Sequence, residues 1–205
     1  MKATERADSV LPPAPGADRY RCVDFADSAA TLPGGQGYDL LAVPDAAMSW
    51  LVSHDLAAPD VQMYDVCAHR MRTLREHVRT LFAARVEGIV PPDRSVRALN
   101  EALTRVPTAP LLAWDAAHGP HRARAHPADQ AVNHALATLA ADTADLLTGP
   151  DADRLAACAA APCDRFLVRT HGRRHWCSTR CGDRVRAARA RKGSAMNNDK
   201  QSRFS

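Results

Sequence analysis

The chain has 205 residues, 46% of them hydrophobic, and its 27 Lys and Arg against 23 Asp and Glu give a formal net charge of +4. That length and apolar content suit one domain with a real core plus a small appended module, and exclude a lone metal-stapled finger. The sequence contains no run of about 18 apolar residues and no charged-then-apolar leader, so it reads as a cytoplasmic protein, neither exported nor inserted in a membrane.

Residues 1–18 mix Pro, Gly, Ala and charge without periodicity and read as a flexible lead-in. Arg19 to Phe25 alternates and suggests a short strand, followed by a glycine-rich loop at 31–37. That loop lacks the Lys-Ser/Thr ending and the strand-loop-helix setting of a phosphate cradle. Pro44 can occupy a first helical turn, and Met48, Trp50, Leu51 and Leu56 mark a short helix after it. From Val61 to Glu87 the positions Tyr64, Cys67, Met71, Leu74, Val78 and Leu81 recur at steps of three and four, which predicts one long helix ended by Gly88. Its arginines, Arg70, Arg72, Arg75, Arg79 and Arg85, read as a solvated polar face.

Pro91-Pro92-Asp93 opens a shorter helix bearing Val96, Leu99 and Leu103, and Pro107 and Pro110 close it. Leu111 to Trp114 and Arg122 to His126 predict a hairpin across DAAHGPH. A last body helix covers about 128–147, with Val132, Leu136, Leu139, Thr143 and Leu146 inward, before Gly149-Pro150 stops it. The body carries no HExxH, GxSxG or paired-carboxylate motif, and its histidines are scattered. The chain is therefore not expected to be an enzyme. The fold class that results is mainly α with a small antiparallel hairpin, an α+β domain.

Four cysteines follow in a C-x4-C, x13, C-x3-C array: Cys158, Cys163, Cys177 and Cys181. Two short-spaced thiolate pairs separated by a loop supply the tetrahedral corners that Zn2+ prefers. Paired disulfides and inert buried thiols are the alternatives, and a reducing cytosol favours metal ligands over disulfides. Cys22 and Cys67 stand alone and read as core thiols. An open catalytic zinc is disfavoured, because four thiolates leave no place for an activated water.

Charge is segregated around this array. Residues 158–205 hold 12 Lys and Arg against 3 Asp and Glu, a net +9, so residues 1–157, with 15 against 20, carry −5. Such a basic tail on an acidic body points to a polyanionic partner. Within GRRHWCSTRCGDRVRAARARK, Ser178 can N-cap a helix beginning at Thr179, which sets Cys181 in the first turn and projects Arg180, Arg184, Arg186, Arg189, Arg191 and Lys192. Arg180, Arg184 and Arg191 lie near one face, a distribution suited to a curved phosphate backbone. The residues after Gly193 are polar and aperiodic and read as a disordered tail, 194–205.

The pattern Cys158, Cys163, Phe166, Trp176, Cys177, Ser178, Cys181, Gly182 and Arg184 resembles the signature of bacterial CGNR zinc finger proteins. Upstream, CVDFADS at 22–28, the Trp50-Leu51 helix, the long helix and the hairpin are similar to the ABATE domain that precedes such fingers. The resemblance covers nearly all of the chain after residue 18, with an ABATE-like helical domain at 19–150 and a CGNR-type finger at 154–193. Asp183 stands where the signature has Asn, and His175 where an Arg usually precedes the Trp.

The resemblance implies a transcription regulator whose finger binds DNA and whose helical body senses an unknown small-molecule effector or mediates assembly. Base contacts would come from Arg184 and Arg180, while Phe166 and Trp176 form the finger's small core. The competing reading is an adaptor whose finger docks RNA or an acidic protein. As a module folded by its metal, the finger is expected to unfold on Cys177→Ser or Cys181→Ser while the body stays folded.

Overall fold

The computed structural model describes residues 12–32, 35–106, 111–123 and 130–202, with side chains described as far as Arg191 in the last helix. It has the expected α+β character: helices carry the core, and the described strands form three two-stranded antiparallel pairs.

The fold begins earlier than composition suggested. Ala14 is buried, and Gly16 takes φ +91° where a Cβ would lie 2.6 Å from Val168 Cβ, so only glycine lets the backbone pass this close. Pro15 O accepts the Val168 amide at 2.8 Å and ties this segment to the C-terminal module. Residues 1–11 lie outside the described residues.

Arg19 to Phe25 is not a strand. Helix α1 spans Arg21–Ala26, and Cys22, Val23, Phe25 and Ala26 are all buried in it. A six-residue helix buried on most sides shows no clean 3.6-residue period, and its alternation misleads. Its first turn is satisfied from outside, with Asp142 Oδ2 accepting the Cys22 amide at 2.7 Å. Strands β1 (Ala29–Thr31) and β2 (Gly37–Asp39) then pair antiparallel, Ala30 opposite Tyr38. Helix α2 (Pro44–Ser53) starts on Pro44 as expected and buries Trp50 and Leu51.

Helix α3 (Asp65–Glu87) is the spine of the body, closed by Gly88 at φ +69°. Met71, Leu74, Val78 and Leu81 are buried as their spacing requires, whereas Tyr64 caps the helix and is exposed. Three of its arginines are not a solvated face. Arg72 donates to Leu41 O and Ala42 O, Arg75 grips the Asp39 carboxylate with both terminal nitrogens, and Arg79 donates to Ala26 O and Ala29 O. At positions i, i+3 and i+7 they form a ladder that holds α1 and the β1–β2 segment to the helix. Arg75 is only 3% exposed, and although burial tends to raise the Asp39 pKa, the Arg75 bonds hold it below the ordinary value.

Helix α4 (Asp93–Thr104) packs on α3, and both meet α5 (Ala131–Thr148). Between them stand β3 (Leu111–Asp115) and β4 (Gly119–Ala123), with Asp115 opposite Gly119. The second strand was expected at 122–126. It starts three residues earlier because Asp115 Oδ1 accepts the amides of Ala117 and His118, at 2.9 and 2.8 Å, which closes a turn tighter than DAAHGPH implied. His126 lies outside the described residues. After a 3-10 turn at Ala152–Arg154 come β5 (Leu155–Ala157), β6 (Phe166–Val168) and the terminal helix α6 (Thr179–Ser202). This backbone helix runs through 194–202, which sequence assigned to the disordered tail, since Gly193 is a weak breaker and no proline follows. No described helix is long and apolar enough to cross a membrane.

His54, just past α2, reports on this packing. Its Nε2 meets Asp24 at 2.7 Å, its Nδ1 meets Trp50 O at 2.7 Å, and its ring stacks on Trp50 at 3.9 Å. Burial pulls its pKa down, but the bonds to Asp24 and Trp50 O prevail and raise it above the ordinary value. A raised folded-state value means that the contribution to stability is complete below the unfolded pKa of about 6.5 and is lost as pH climbs through the folded value. His54→Ala is therefore expected to cost about 1–2 kcal/mol at pH 6 and less at pH 9, read by urea denaturation at both.

Candidate metal centre

The four predicted cysteines converge. The sulfurs of Cys158, Cys163, Cys177 and Cys181 all lie within 4.8 Å of one another, and all four residues are buried. Cys163 and Cys177 Sγ are 3.7 Å apart, and Cys177 and Cys181 Sγ 3.6 Å. A tetrahedron with Zn–S bonds of about 2.3 Å has edges of about 3.8 Å, so the donor set has the shape and softness of a structural zinc site. Cys22 and Cys67 take no part: Cys22 is fully buried, with its thiol pKa pushed up by burial, and Cys67 is half-buried.

Each half of the site is a turn pinned by backbone bonds. The Cys158 amide donates to Arg165 O at 2.8 Å and the Cys163 amide to Ala160 O at 2.9 Å, so the first pair sits where β5 and β6 turn back on each other. The second pair stands at the start of α6, where Ser178 Oγ accepts the Cys181 amide at 3.2 Å, the N-cap read from sequence. The Ala159 amide donates to His175 O at 2.9 Å and joins the halves.

Electrostatics explain why the cluster calls for a cation. Hydrogen bonds from Cys163 and Cys177 lower the Cys158 pKa, while the same close sulfurs raise those of Cys163 and Cys177. Four thiols this close cannot all ionise on their own, and a bound Zn2+ supplies the charge that lets every ligand be a thiolate. Zn2+ is the cofactor this donor set fits. When bound it serves as a structural crosslink, since four sulfurs fill its tetrahedral positions.

The centre is not a separate bead on the body. Arg165, two residues after Cys163, is 1% exposed, and its Nε meets Asp27 Oδ2 at 3.0 Å, while Asp27 Oδ1 accepts the Phe166 amide at 2.8 Å. Asp27 belongs to the CVDFADS segment that closes α1. Asp164 accepts from Arg79 at 3.0 Å and from the Thr31 amide at 2.7 Å, and Arg85 pairs with Asp153. Phe166, expected to be core of the finger alone, meets Phe82 of α3 edge-on at 5.5 Å. The zinc cysteines and the body's apolar residues form one continuous core.

Trp176 is half-buried over Gly182, where a Cβ would stand 3.0 Å from its ring, so the glycine of the signature allows the tryptophan to lie on the helix start. Asp183 pairs with Arg186 at 2.5 Å, and the Arg186 guanidinium also lies 5.7 Å from the Trp176 ring centroid. Along α6, Arg180, Arg186, Arg189 and Arg191 are exposed. Arg184 is half-buried, with Nη1 enclosed and lacking a hydrogen-bond partner. The Lys192 side chain lies outside the described residues.

Residues 20–150 match the family model ABATE, described as "Putative stress-induced transcription regulator", and residues 154–192 match the CGNR zinc finger model. No curated protein matches the chain.

Burial raises the Asp27 pKa to about 7 against the pull of Arg165, so desolvation offsets most of the attraction within the pair. Removing one partner still strands a buried charge. Asp27→Ala is expected to cost about 3–5 kcal/mol, with loss of helical circular dichroism and release of zinc at one midpoint. Cys177→Ser is likewise expected to lower the melting temperature of the body as well as the finger, contrary to independent folding. A Cys177→Ser body that melts at the wild-type temperature would show the two parts to be uncoupled.

Proposed function

We propose, from the premise that this chain belongs to the ABATE family and carries a CGNR zinc finger, that it is a cytoplasmic zinc-dependent transcription regulator that binds DNA through α6. The observation that carries this reading is the set of exposed arginines, Arg180, Arg186, Arg189 and Arg191, on a helix whose start is anchored by Cys181 and the Ser178 cap at the metal centre. A rigid mount matters because phosphate contacts set the register of a protein on the duplex. Zinc is then a positioning element and not a reaction centre, and the protein is not an enzyme.

Within this reading the arginines differ in role. Arg180, Arg189 and Arg191 have no acidic partner among the described residues and are the phosphate contacts, joined by Lys192. Arg186 is occupied by Asp183 and Trp176, and reaches DNA only by leaving them. Arg184 is too enclosed for an open phosphate contact, and it supports base reading only from the edge of the helix start. The helical body senses a small molecule or mediates assembly.

Double-stranded DNA titrated at several salt concentrations tests the proposal. Each phosphate contact contributes about 0.9 to the slope of log affinity against log salt, so Arg189→Ala with Arg191→Ala should reduce that slope by about 2 without releasing zinc. Zinc-loaded protein that binds no DNA at low salt, or a double variant with an unchanged slope, would sink the reading. Nuclease-insensitive capture of a single acidic protein by the finger would favour the adaptor in its place.

A further inference from the structure

We propose that the groove between α3, α4 and α5 is a binding site for a small organic carboxylate with an apolar body. The cavity has a volume of about 290 Å³, just under the roughly 300 to 1,000 Å³ of drug-sized ligand pockets, which suits a small ligand. Leu74, Ala98, Ala102 and Leu136 supply its apolar surface. Around them stand His69, Arg70 and His77 from α3, with Glu101 from α4 and Arg105 at its C-terminal cap.

The charges decide the ligand class. Arg70 and Arg105 outnumber Glu101, and among the described residues none of the three forms an ion pair, although Arg105 caps α4 only four residues after Glu101. Every other α3 arginine between Arg72 and Arg85 is bound to a carboxylate or a carbonyl, so the free guanidinium of Arg70 is an exception on its own helix. The imidazoles add directed hydrogen bonding. Ser95, 1% exposed, meets His77 Nδ1 at 3.2 Å and leaves Nε2 as the polar atom the ring can offer to a ligand. A guanidinium beside an apolar floor recognises a carboxylate by charge-assisted bonds while the floor takes the hydrocarbon.

A larger cavity, about 740 Å³, lies beyond Arg70 and is lined by the 55–62 loop, Cys67 and the start of α5. Its lining carries Asp55 and Asp60, which oppose an anion. The small groove is therefore the site for the carboxylate, with Arg70 on the wall the two cavities share.

This inference deepens the sensing half of the proposed function and rests on that reading only there. Its test is a calorimetric titration of the zinc-loaded full chain, without DNA, with phenylacetate, its neutral amide and the cation phenethylamine. Phenylacetate is expected to saturate a single site, with the amide and the amine roughly 10-fold weaker or more. Arg70→Gln and Arg105→Gln, both at exposed positions, should each weaken phenylacetate roughly 10-fold with circular dichroism unchanged, and Ala98→Leu should block the groove to all probes. Equal binding of the three probes, phenylacetate binding indifferent to both glutamine variants, or no saturable binding at millimolar concentration would each overturn the proposal. Failure here leaves salt-sensitive DNA binding untouched, and failure of DNA binding leaves these titrations intact, so the two readings fall separately.

Discussion

The junction between the zinc strands and the helical body depends on the Asp27–Arg165 pair being buried where it is. Asp27 follows the end of α1, Arg165 follows the second zinc ligand, and the two side chains are 0% and 2% exposed. Burying such a pair stabilises little, because each ion gives up its water, and the raised pKa of Asp27 shows how large that cost is. What the pair supplies is register. A guanidinium with one acceptable partner in an apolar junction sets where the zinc strands meet the body, and the Phe166 amide on the other Asp27 oxygen makes that position unique. Arg165 keeps its charge there: burial tends to lower its pKa, but Asp27, Tyr38 and Cys177 together raise it.

Helix α3 carries that junction through the body. One side of it holds the arginine ladder and Phe82, which reach α1, β1, β2 and Phe166, and another side forms a wall of the groove with α4 and α5. Close-packed helices do not deform continuously, so a ligand that prefers one seating of α3 against α4 acts on the same rigid element that seats the zinc strands. Arg79 is the nearest link, since one guanidinium bonds Ala26 O, Ala29 O and Asp164. The population shift available to such a ligand is limited to its differential affinity for the two seatings.

What could be read from the sequence was local in origin. The cysteine spacing, the Ser178 cap, the long helix and its Gly88 stop each depend on residues within a turn or two of one another, and all are present. What could not be read was contact between segments far apart in the chain. The Arg72, Arg75 and Arg79 positions have the spacing of a polar helix face, and nothing nearby reveals that their acceptors lie 30 to 85 residues away. Arg165 and Asp27 are 138 residues apart. The packing of the finger on the body escaped for the same reason, since spacing defines a metal site without saying what its strands pack against. The α1 segment misled in another way, because burial on most sides erases the period that would have marked a helix.

Asp183 shows how a departure at a signature position is absorbed locally. A carboxylate near the start of a helix is favoured by the backbone dipole but opposes an approaching phosphate. Arg186, one turn on, answers both effects: it neutralises Asp183 at 2.5 Å and lays its guanidinium toward the Trp176 ring, covering the residue that packs on Gly182. The first turns of α6 then present a pair with no net charge beside Arg180, and the free positive charge shifts toward Arg189 and Arg191. With an Asn in this place Arg186 would have no anionic partner and would add its own charge to the exposed basic face of α6. The Asp in this chain therefore shifts the unpaired positive charge along the helix, away from the metal centre, toward Arg189 and Arg191.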